Sequence, residues 1–542
     1  MSKTTVAESL VDAFASRGVQ RIFGVPGGGS SLDIIDAAAK RGVDFVLTRT
    51  ESAAVMMAAA TSELSNTLGV ALTTKGPGSA SSANGVAYAA LERLPVALLT
   101  DGFTPTEQTY ITHQVFDQKA LLNPLTKGHS RLEGNSVVQD IESNLEAAMT
   151  PPRGPVYFEL TSETARSTPS LLTDWKGDKN RNHHHLALDE NAITKGKNLL
   201  SKADKPILIV GMEARESSAA RAVRTLVTTL GCPALTTYKA KGVIADQDPF
   251  YAGIFTGGSK EKDCIDKADL IILCGIDPVE FIRQPWRYSA PVIDISEVKH
   301  PVHYLKPDAG LYGSISKHIA RLISVRQSTS WLEEDVAMLR LDMHALLMCK
   351  RVKGINPQQV VETAFELAQS LPTIPRMTVD AGAHMFSAME FWPCADPCDV
   401  LISNGLATMA FALPAAIASA LHEPHRQVIA FTGDGGLLMC LGELLTAVQC
   451  QTNIIIVVFN DASLSLIDIK QQEKQFPSRG TRWPRPDFSK IMKGMGGNGF
   501  KVENLESYKH SLVEALHGNG PTLIDVSVDA SGYSDQLRAM RG

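Results

Sequence analysis

Between Val428 and Asp461 the sequence leaves room for little besides one βαβ unit. The apolar run Val428-Ile429-Ala430-Phe431 leads into Gly433-Asp434-Gly435-Gly436. A helical pattern then runs from Leu437 to Cys450, and the β-prone run Ile454 to Phe459 ends at Asn460-Asp461. The Gly-rich turn puts unhindered backbone N–H groups at a helix N-terminus, where the dipole favours an anion. Parallel pairing of the two strands brings Asp434 and Asp461 together at their carboxyl ends, where open α/β sheets bind ligands. Carboxylate oxygens beside a phosphate cradle are what a bridging Mg²⁺ requires.

The rest of the chain repeats the alternation of helix and strand. The first third reads as helix Val6–Arg17, strand Ile22–Gly24, helix Leu32–Arg41, strand Phe45–Thr48, helix 51–65 and strand 69–73. Turns rich in glycine follow two of these strands, at Gly24-Val25-Pro26-Gly27-Gly28-Gly29 and at Lys75-Gly76-Pro77-Gly78. Strand Val156–Leu160 closes this unit, and the polar stretch from Ser162 to His185 reads as a linker. A second α/β pattern has strands at Pro206–Val210, Pro233–Leu235, Leu270–Cys274 and Pro291–Ile295. A charged helical connector over 326–355 precedes the third unit. The expectation is α/β with three doubly wound parallel-sheet domains, at 1–180, 190–330 and 356–542. A length of 542 residues agrees with about three domains.

A net charge of −6 offers no basic surface for nucleic acid. No apolar stretch approaches the ~20 residues of a membrane span, and the N-terminus lacks the apolar core of a signal peptide. The eight cysteines are scattered; Cys394 and Cys398 have no second pair with which to form a zinc site. A reducing cytoplasm is expected. The run His183-His184-His185 lies in the polar linker and reads as incidental.

Taken in order, the motifs resemble those of the thiamine-diphosphate-dependent decarboxylases and synthases of the pyruvate decarboxylase and acetolactate synthase superfamily. Acetolactate synthase catalytic chains give the best local match. The turn Gly433-Asp434-Gly435-Gly436 with Asn460-Asp461 resembles the cofactor signature, with Asp461 in place of the usual second Asn. The resemblance implies that Asp434, Asp461 and the Ser463 carbonyl hold Mg²⁺. It implies that Gly27, Gly28, Gly76, Gly78, Gly382, His384, Gly433, Gly435 and Gly436 line the thiamine diphosphate site. Asn404 to Pro414 resembles the turn beneath the thiazolium, which puts Met409 on the apolar wedge and the Ala407 carbonyl on the pyrimidine amino group.

In Arg49-Thr50-Glu51, Glu51 falls on the family carboxylate that drives cofactor tautomerisation, with Thr50 replacing a His. Gln114 falls on the active-site Gln, with His113 in place of a Phe as an extra acid or base. Lys470 replaces the Trp that helps choose the second keto acid.

The implied reaction is decarboxylation of a pyruvate-like 2-oxo acid, with carboligation of the enamine to a second carbonyl compound. A simple decarboxylase releasing an aldehyde is the alternative, and a non-catalytic cofactor-binding relative is another. The resemblance also implies a homodimer or homotetramer with sites at subunit interfaces. Flavin is not expected, because Ile276-Asp277-Pro278-Val279-Glu280 stands where flavin-binding relatives carry Phe-Asp-Asp-Arg.

Overall fold

Every residue from Ala53 to Ala60 is buried, although these residues belong to a helix and not to a strand. A helix without a wet face must be covered on all sides, and the architecture supplies the cover. The computed structural model describes residues 4–169, 188–281, 286–323, 329–349 and 353–541. It contains three six-stranded sheets. The first holds β1 (Arg21–Val25), β2 (Asp44–Leu47), β3 (Gly69–Thr73), β4 (Val96–Asp101), β5 (Gly128–Arg131) and β6 (Val156–Leu160), in the order β2-β1-β3-β4-β6-β5.

The second sheet holds β7 (Pro206–Val210), β8 (Ala234–Thr236), β9 (Tyr251–Ile254), β10 (Leu270–Cys274), β11 (Val292–Ser296) and β12 (Ala309–Tyr312), ordered β12-β11-β10-β7-β8-β9. The third holds β13 (Arg376–Val379), β14 (Val400–Ile402), β15 (Val428–Gly433), β16 (Ile454–Asn460), β17 (Asn498–Val502) and β18 (Thr522–Ser527), ordered β14-β13-β15-β16-β18-β17. All the strand pairs are parallel. Three doubly wound α/β layers are thus present, as the alternation of patterns requires.

The first and third sheets have the same order, strand for strand. Each reverses direction next to its first strand, between β1 and β3 and between β13 and β15, and again at its edge strand, β5 or β17. The second sheet reverses between β7 and β10. Such switch points leave a crevice at the carboxyl ends of two strands. Gly24–Gly29 and Thr74–Gly78 flank the first crevice; Asp380–His384 and Gly433–Gly436 flank the third.

The helix Glu51–Ser65 packs against helix Pro77–Leu91 and against helix Ala412–His422 of the third domain. Ala412 to Ala420 are buried in turn, and the two domains share one apolar cluster. Glu443, fully buried, crosses the same boundary and accepts from the Arg49 N–H at 3.0 Å and the Thr50 N–H at 2.9 Å.

Several expectations need correction. The helix expected from Leu437 to Cys450 is two helices, Asp434–Met439 and Glu443–Gln449. Cys440 is the break, with φ −128° and ψ 24°, whereas Gly442 keeps helical dihedrals and packs its bare face against the Arg49 side-chain stem. The bend aims Glu443 at the Arg49-Thr50 turn. The linker expected from Ser162 begins with a short helix, Ser162–Arg166, capped by Thr161. His183–His185 lie outside the described residues, as does part of the 326–355 connector, of which helix Glu333–Ala345 is seen. Strands β4, β5, β9, β12, β13, β14, β17 and β18 go beyond those expected from the sequence.

Strand β3 begins at Gly69 because a side chain there would drive into the Ala58 carbonyl of the covering helix. Neither backbone can give way cheaply, so Gly69→Ala is expected to destabilise the first domain by about 1–3 kcal/mol. A urea midpoint equal to the parent's would refute this.

Candidate functional site

The third-domain crevice gathers most of the residues singled out above. His384 opens helix His384–Phe391 just past β13. Its ring stacks on Phe459 at 5.1 Å and lies against Gly382 and Gly433; a Cβ at Gly433 would be 3.3 Å from His384 Cε1. Burial pushes the imidazole down to about 4, so it is neutral, and its Nε2 is buried without a protein partner. A neutral ring with an unused nitrogen beside two glycines suits a donor to an anion.

Gly435 is the meeting place of three apolar groups. Leu464 Cδ2, Met409 Cε and the Trp483 ring lie 3.0, 3.3 and 3.3 Å from where its Cβ would be. Gly436 is held bare by Asp380, whose carboxylate occupies the place of a side chain. Asp380 is 1% exposed and accepts from Phe411 N (2.6 Å), Ala412 N (2.7 Å) and Thr432 Oγ1 (2.6 Å). Burial raises its pKa. It therefore ties the β13 and β15 turns to the loop that carries Ala407 and Met409. Sequence reasoning passed over Asp380 as one member of a turn; its place at the end of a buried strand, before small residues, was the available signal.

Asp434 and Asp461 stand at the ends of paired strands β15 and β16. Asp434 accepts from Gly435 N at 2.8 Å and Ala462 N at 2.6 Å. Burial, and then the nearby Asp461 charge, push it up to about 7. Asp461 is also raised by burial; it accepts from Ser463 N at 3.2 Å and from the Ser465 hydroxyl. Ser463 Oγ is buried without a partner. Two sequestered carboxylates that raise each other's cost of ionisation fit a divalent cation, which would remove the conflict. Lys470 is exposed on helix Ser465–Glu473, with no ion pair among the described residues.

The first-domain crevice is built in the same manner. Buried Asp101 accepts from Ser30 Oγ (2.8 Å), Ser31 N (2.8 Å) and Ser31 Oγ (2.9 Å). It leaves no room for a side chain at Gly27, while Gly28 faces open space. Gly76 has φ +64° and lies against the Gln114 backbone. Its N–H donates to Gln118 Oε1 at 2.7 Å, so Gln118, which sequence reasoning missed, fixes this turn. Gly78 is crowded by Thr73 and Thr74. His113 and Gln114 are exposed on the neighbouring loop.

Glu51 begins its helix half-buried, with no hydrogen-bond or ion-pair partner among the described residues. Thr50 caps that helix through Ala53 N at 3.2 Å. Within the chain the first-domain set makes no hydrogen bond to the third-domain set among the described residues.

A second cluster brings Glu213, Asp277 and His300 together. Arg93 already forks onto Asp277 at 2.6 and 3.2 Å and supplies the positive charge there.

Sequence profiles of three thiamine pyrophosphate enzyme domains match the chain in order: the N-terminal TPP binding domain over residues 4–121, the central domain over 193–322 and the C-terminal TPP binding domain over 380–526. The chain belongs to the thiamine pyrophosphate enzymes. This enzyme is 26% identical over 547 residues to an acetolactate synthase of Bacillus subtilis, covering 99% of this chain and 94% of the relative. It is 26% identical to a catabolic acetolactate synthase of Raoultella terrigena, covering 96% and 95%. It is also 26% identical to the acetolactate synthase isozyme 3 large subunit of Escherichia coli, covering 99% and 97%. Thiamine diphosphate fits the third-domain crevice: a glycine-lined turn, an orphaned His384 nitrogen and a carboxylate pair suited to a cation.

Asp434→Ala is expected to abolish thiamine diphosphate binding in magnesium buffer, whereas Asp461→Asn keeps the oxygen and should retain it. Calorimetric titration decides: equal affinity in Asp434→Ala and parent would move the cation elsewhere.

Proposed function

We propose that this enzyme decarboxylates a pyruvate-like 2-oxo acid and joins the remaining fragment to a second carbonyl compound, as an acetolactate synthase does. The observation that carries this reading is the Asp434–Asp461 pair beside the His384–Gly433 cradle, in a chain similar to acetolactate synthases along its length. Bound thiamine diphosphate supplies an electron sink for the carbon that loses CO₂. Asp434, Asp461 and the Ser463 carbonyl hold Mg²⁺ against the diphosphate, and neutral His384 donates to it. Met409 and Leu464 keep water from the ring side of Gly435. Ala407 offers its carbonyl to the pyrimidine amino group.

Glu51 holds the proton that activation requires. Its carboxylate has no partner in its own chain among the described residues, so it is available to a cofactor held by another. His113 and Gln114 border the carbonyl substrate, and Lys470 attracts an anionic acceptor. The second reading is release of a free aldehyde. Product analysis separates the two: a new carbon–carbon bond supports carboligation, and aldehyde alone from a 2-oxo acid panel supports the decarboxylase.

We infer at least a homodimer: Glu51 and the Gly433–Ser463 turn lie on different domains, and among the described residues no hydrogen bond joins them within the chain, which supports a site completed by a second copy. Exposed Leu438, Met439 and Leu445 lie on the helices beside that turn. Among the described residues no helix is long and apolar enough to cross a membrane. A reducing cytoplasm suits the eight free cysteines. Glu51→Gln should lose about 10²–10⁴-fold in turnover and still bind cofactor. Co-assembled with Asp434→Ala, it should regain part of the activity. Verified mixed dimers without recovery would mean that each chain builds its own site.

Flavin is not part of the proposal. In the central domain the turn after β7 lines a cavity of about 570 Å³ with Met212, Glu213 and Arg215, but its backbone N–H groups are used within the protein. Glu213 N donates to Gly275 O at 2.9 Å, and Gly211 N to Cys274 O at 2.9 Å. Buried Glu280 accepts from Met212 N (2.9 Å), Asp277 N (3.1 Å) and Thr237 Oγ1 (2.5 Å). The donors that would meet a dinucleotide diphosphate are thereby engaged. Purified active enzyme is expected to be colourless, with no rate increase on adding FAD. A stoichiometric yellow cofactor released on denaturation would overturn this.

A further inference from the structure

The loop that carries Ala407 and Met409 is held from behind by groups that the cofactor reading does not use. Glu92, at the end of helix Pro77–Leu91, is 1% exposed. Its Oε1 accepts from Gly405 N at 2.7 Å, and its Oε2 lies 3.1 Å from Lys239 Nζ. Lys239 comes from the central domain, and its side chain is fully buried. It also donates to Glu63 Oε2 at 2.9 Å and to Ile402 O at 2.9 Å. A second central cation, Arg215, pairs with Glu63. Burial alone would push Glu63 up, but Lys239 and then Arg215 hold its carboxyl below the usual range.

Two carboxylates of the first domain and two cations of the central domain thus close on each other without net charge. Two of their bonds end on the third-domain backbone, at Ile402 and Gly405. These are the entry to the loop. Beyond them Ala407 has φ +53° and Ala410 φ +66°, the left-handed region in residues that are not glycine. The first domain touches the loop twice more. The Leu91 carbonyl lies 2.7 Å from where a Cβ on Gly405 would be, and Asn84 Nδ2 donates to Thr408 Oγ1 at 3.2 Å.

We propose that Glu92, held by Lys239, is a positioning residue that keeps the Gly405–Ala410 loop in the strained form that receives thiamine diphosphate. The inference rests on the cofactor role given above to Ala407 and Met409. It means that a first domain braces the cofactor loop of its own chain while its Glu51 serves the neighbouring one.

The test is calorimetric titration of the full-length apo chain with thiamine diphosphate in magnesium buffer, alongside thermal melts. Glu92→Leu removes the acceptor for Gly405 and is expected to raise Kd at least about tenfold. Glu92→Gln keeps an acceptor oxygen and should stay within about threefold of the parent. Because Glu92→Leu leaves Lys239 with one carboxylate fewer, the double variant Glu92→Leu/Lys239→Met is the control for folding. It keeps the Glu63–Arg215 pair but loses the Lys239 bonds to Glu63 and Ile402, so Lys239→Met alone is its reference: the two should melt alike, and the double variant should show the higher Kd. With cofactor saturating, KM for the 2-oxo acid should be unchanged. A folded double variant that binds as tightly as Lys239→Met would overturn the inference, as would Gln and Leu variants weakened alike. A parent chain that bound no thiamine diphosphate would instead remove the cofactor reading, and the brace with it.

Discussion

The structure depends on one contact: helix Glu51–Ser65 laid against helix Ala412–His422 across the boundary of the first and third domains. Both helices are rich in alanine along the faces that meet, so their backbones come close, and no polar stripe remains to be hydrated. A core shared by two domains fixes their mutual orientation as firmly as the interior of either. Everything in the site inherits that orientation. Glu51 leaves its helix in a set direction because the residues before it donate to buried Glu443. The same packing brings Asn84 and Glu92 against the Gly405–Ala410 loop.

A single device recurs where backbone must turn at a strand end. Asp101, Asp380 and Glu280 are each buried, and each accepts at least one backbone N–H together with a hydroxyl. A carboxylate can gather several donors from different segments, which no single backbone carbonyl does as well. In the first and third domains the gathering leaves the crevice open, with bare glycines around it. In the central domain Glu280 reaches into the crevice itself, and burial pushes it up to about 8. Similar winding thus places a buried carboxylate near each switch point, and the central domain differs in where that carboxylate sits.

What could be read from the sequence was local. Strands β1, β3, β7, β10, β15 and β16 were legible because their apolar runs are short, β-branched and closed by glycine, proline or acidic turns. Asp434 and Asp461 stand out at such boundaries, whereas Glu51, Gly27 and Gly76 are singled out by the family resemblance. Strands β5 and β12, Gly-His-Ser-Arg and Ala-Gly-Leu-Tyr, carry no such pattern and take their form from neighbours in the sheet. The break at Cys440 was hidden because no proline or glycine stands at that residue. Glu92, Lys239, Gln118 and Glu443 look like ordinary polar residues of a helix or turn. Only the folded chain reveals that each is the acceptor or cation for a distant backbone group.

Of the nine non-glycine residues with positive φ among the described residues, four border the candidate site. Gln114, Ala407, Ala410 and Ala462 all have φ between +53° and +66° without being glycine, at a cost of order 1–3 kcal/mol each. All four belong to turns that border the candidate site. Ala462 is held by Asp434 at 2.6 Å through its N–H and by Trp483 N at 3.2 Å through its carbonyl. Ala407 and Ala410 are held between the Asp380 anchor on one side and Glu92 on the other. The strain is therefore balanced by buried hydrogen bonds of the protein itself and does not wait for a ligand. Turns held this way by the protein need little ordering on binding, so more of the binding free energy is retained as affinity. The buried carboxylates hold the glycine turns open, and the shared apolar core keeps those carboxylates in place.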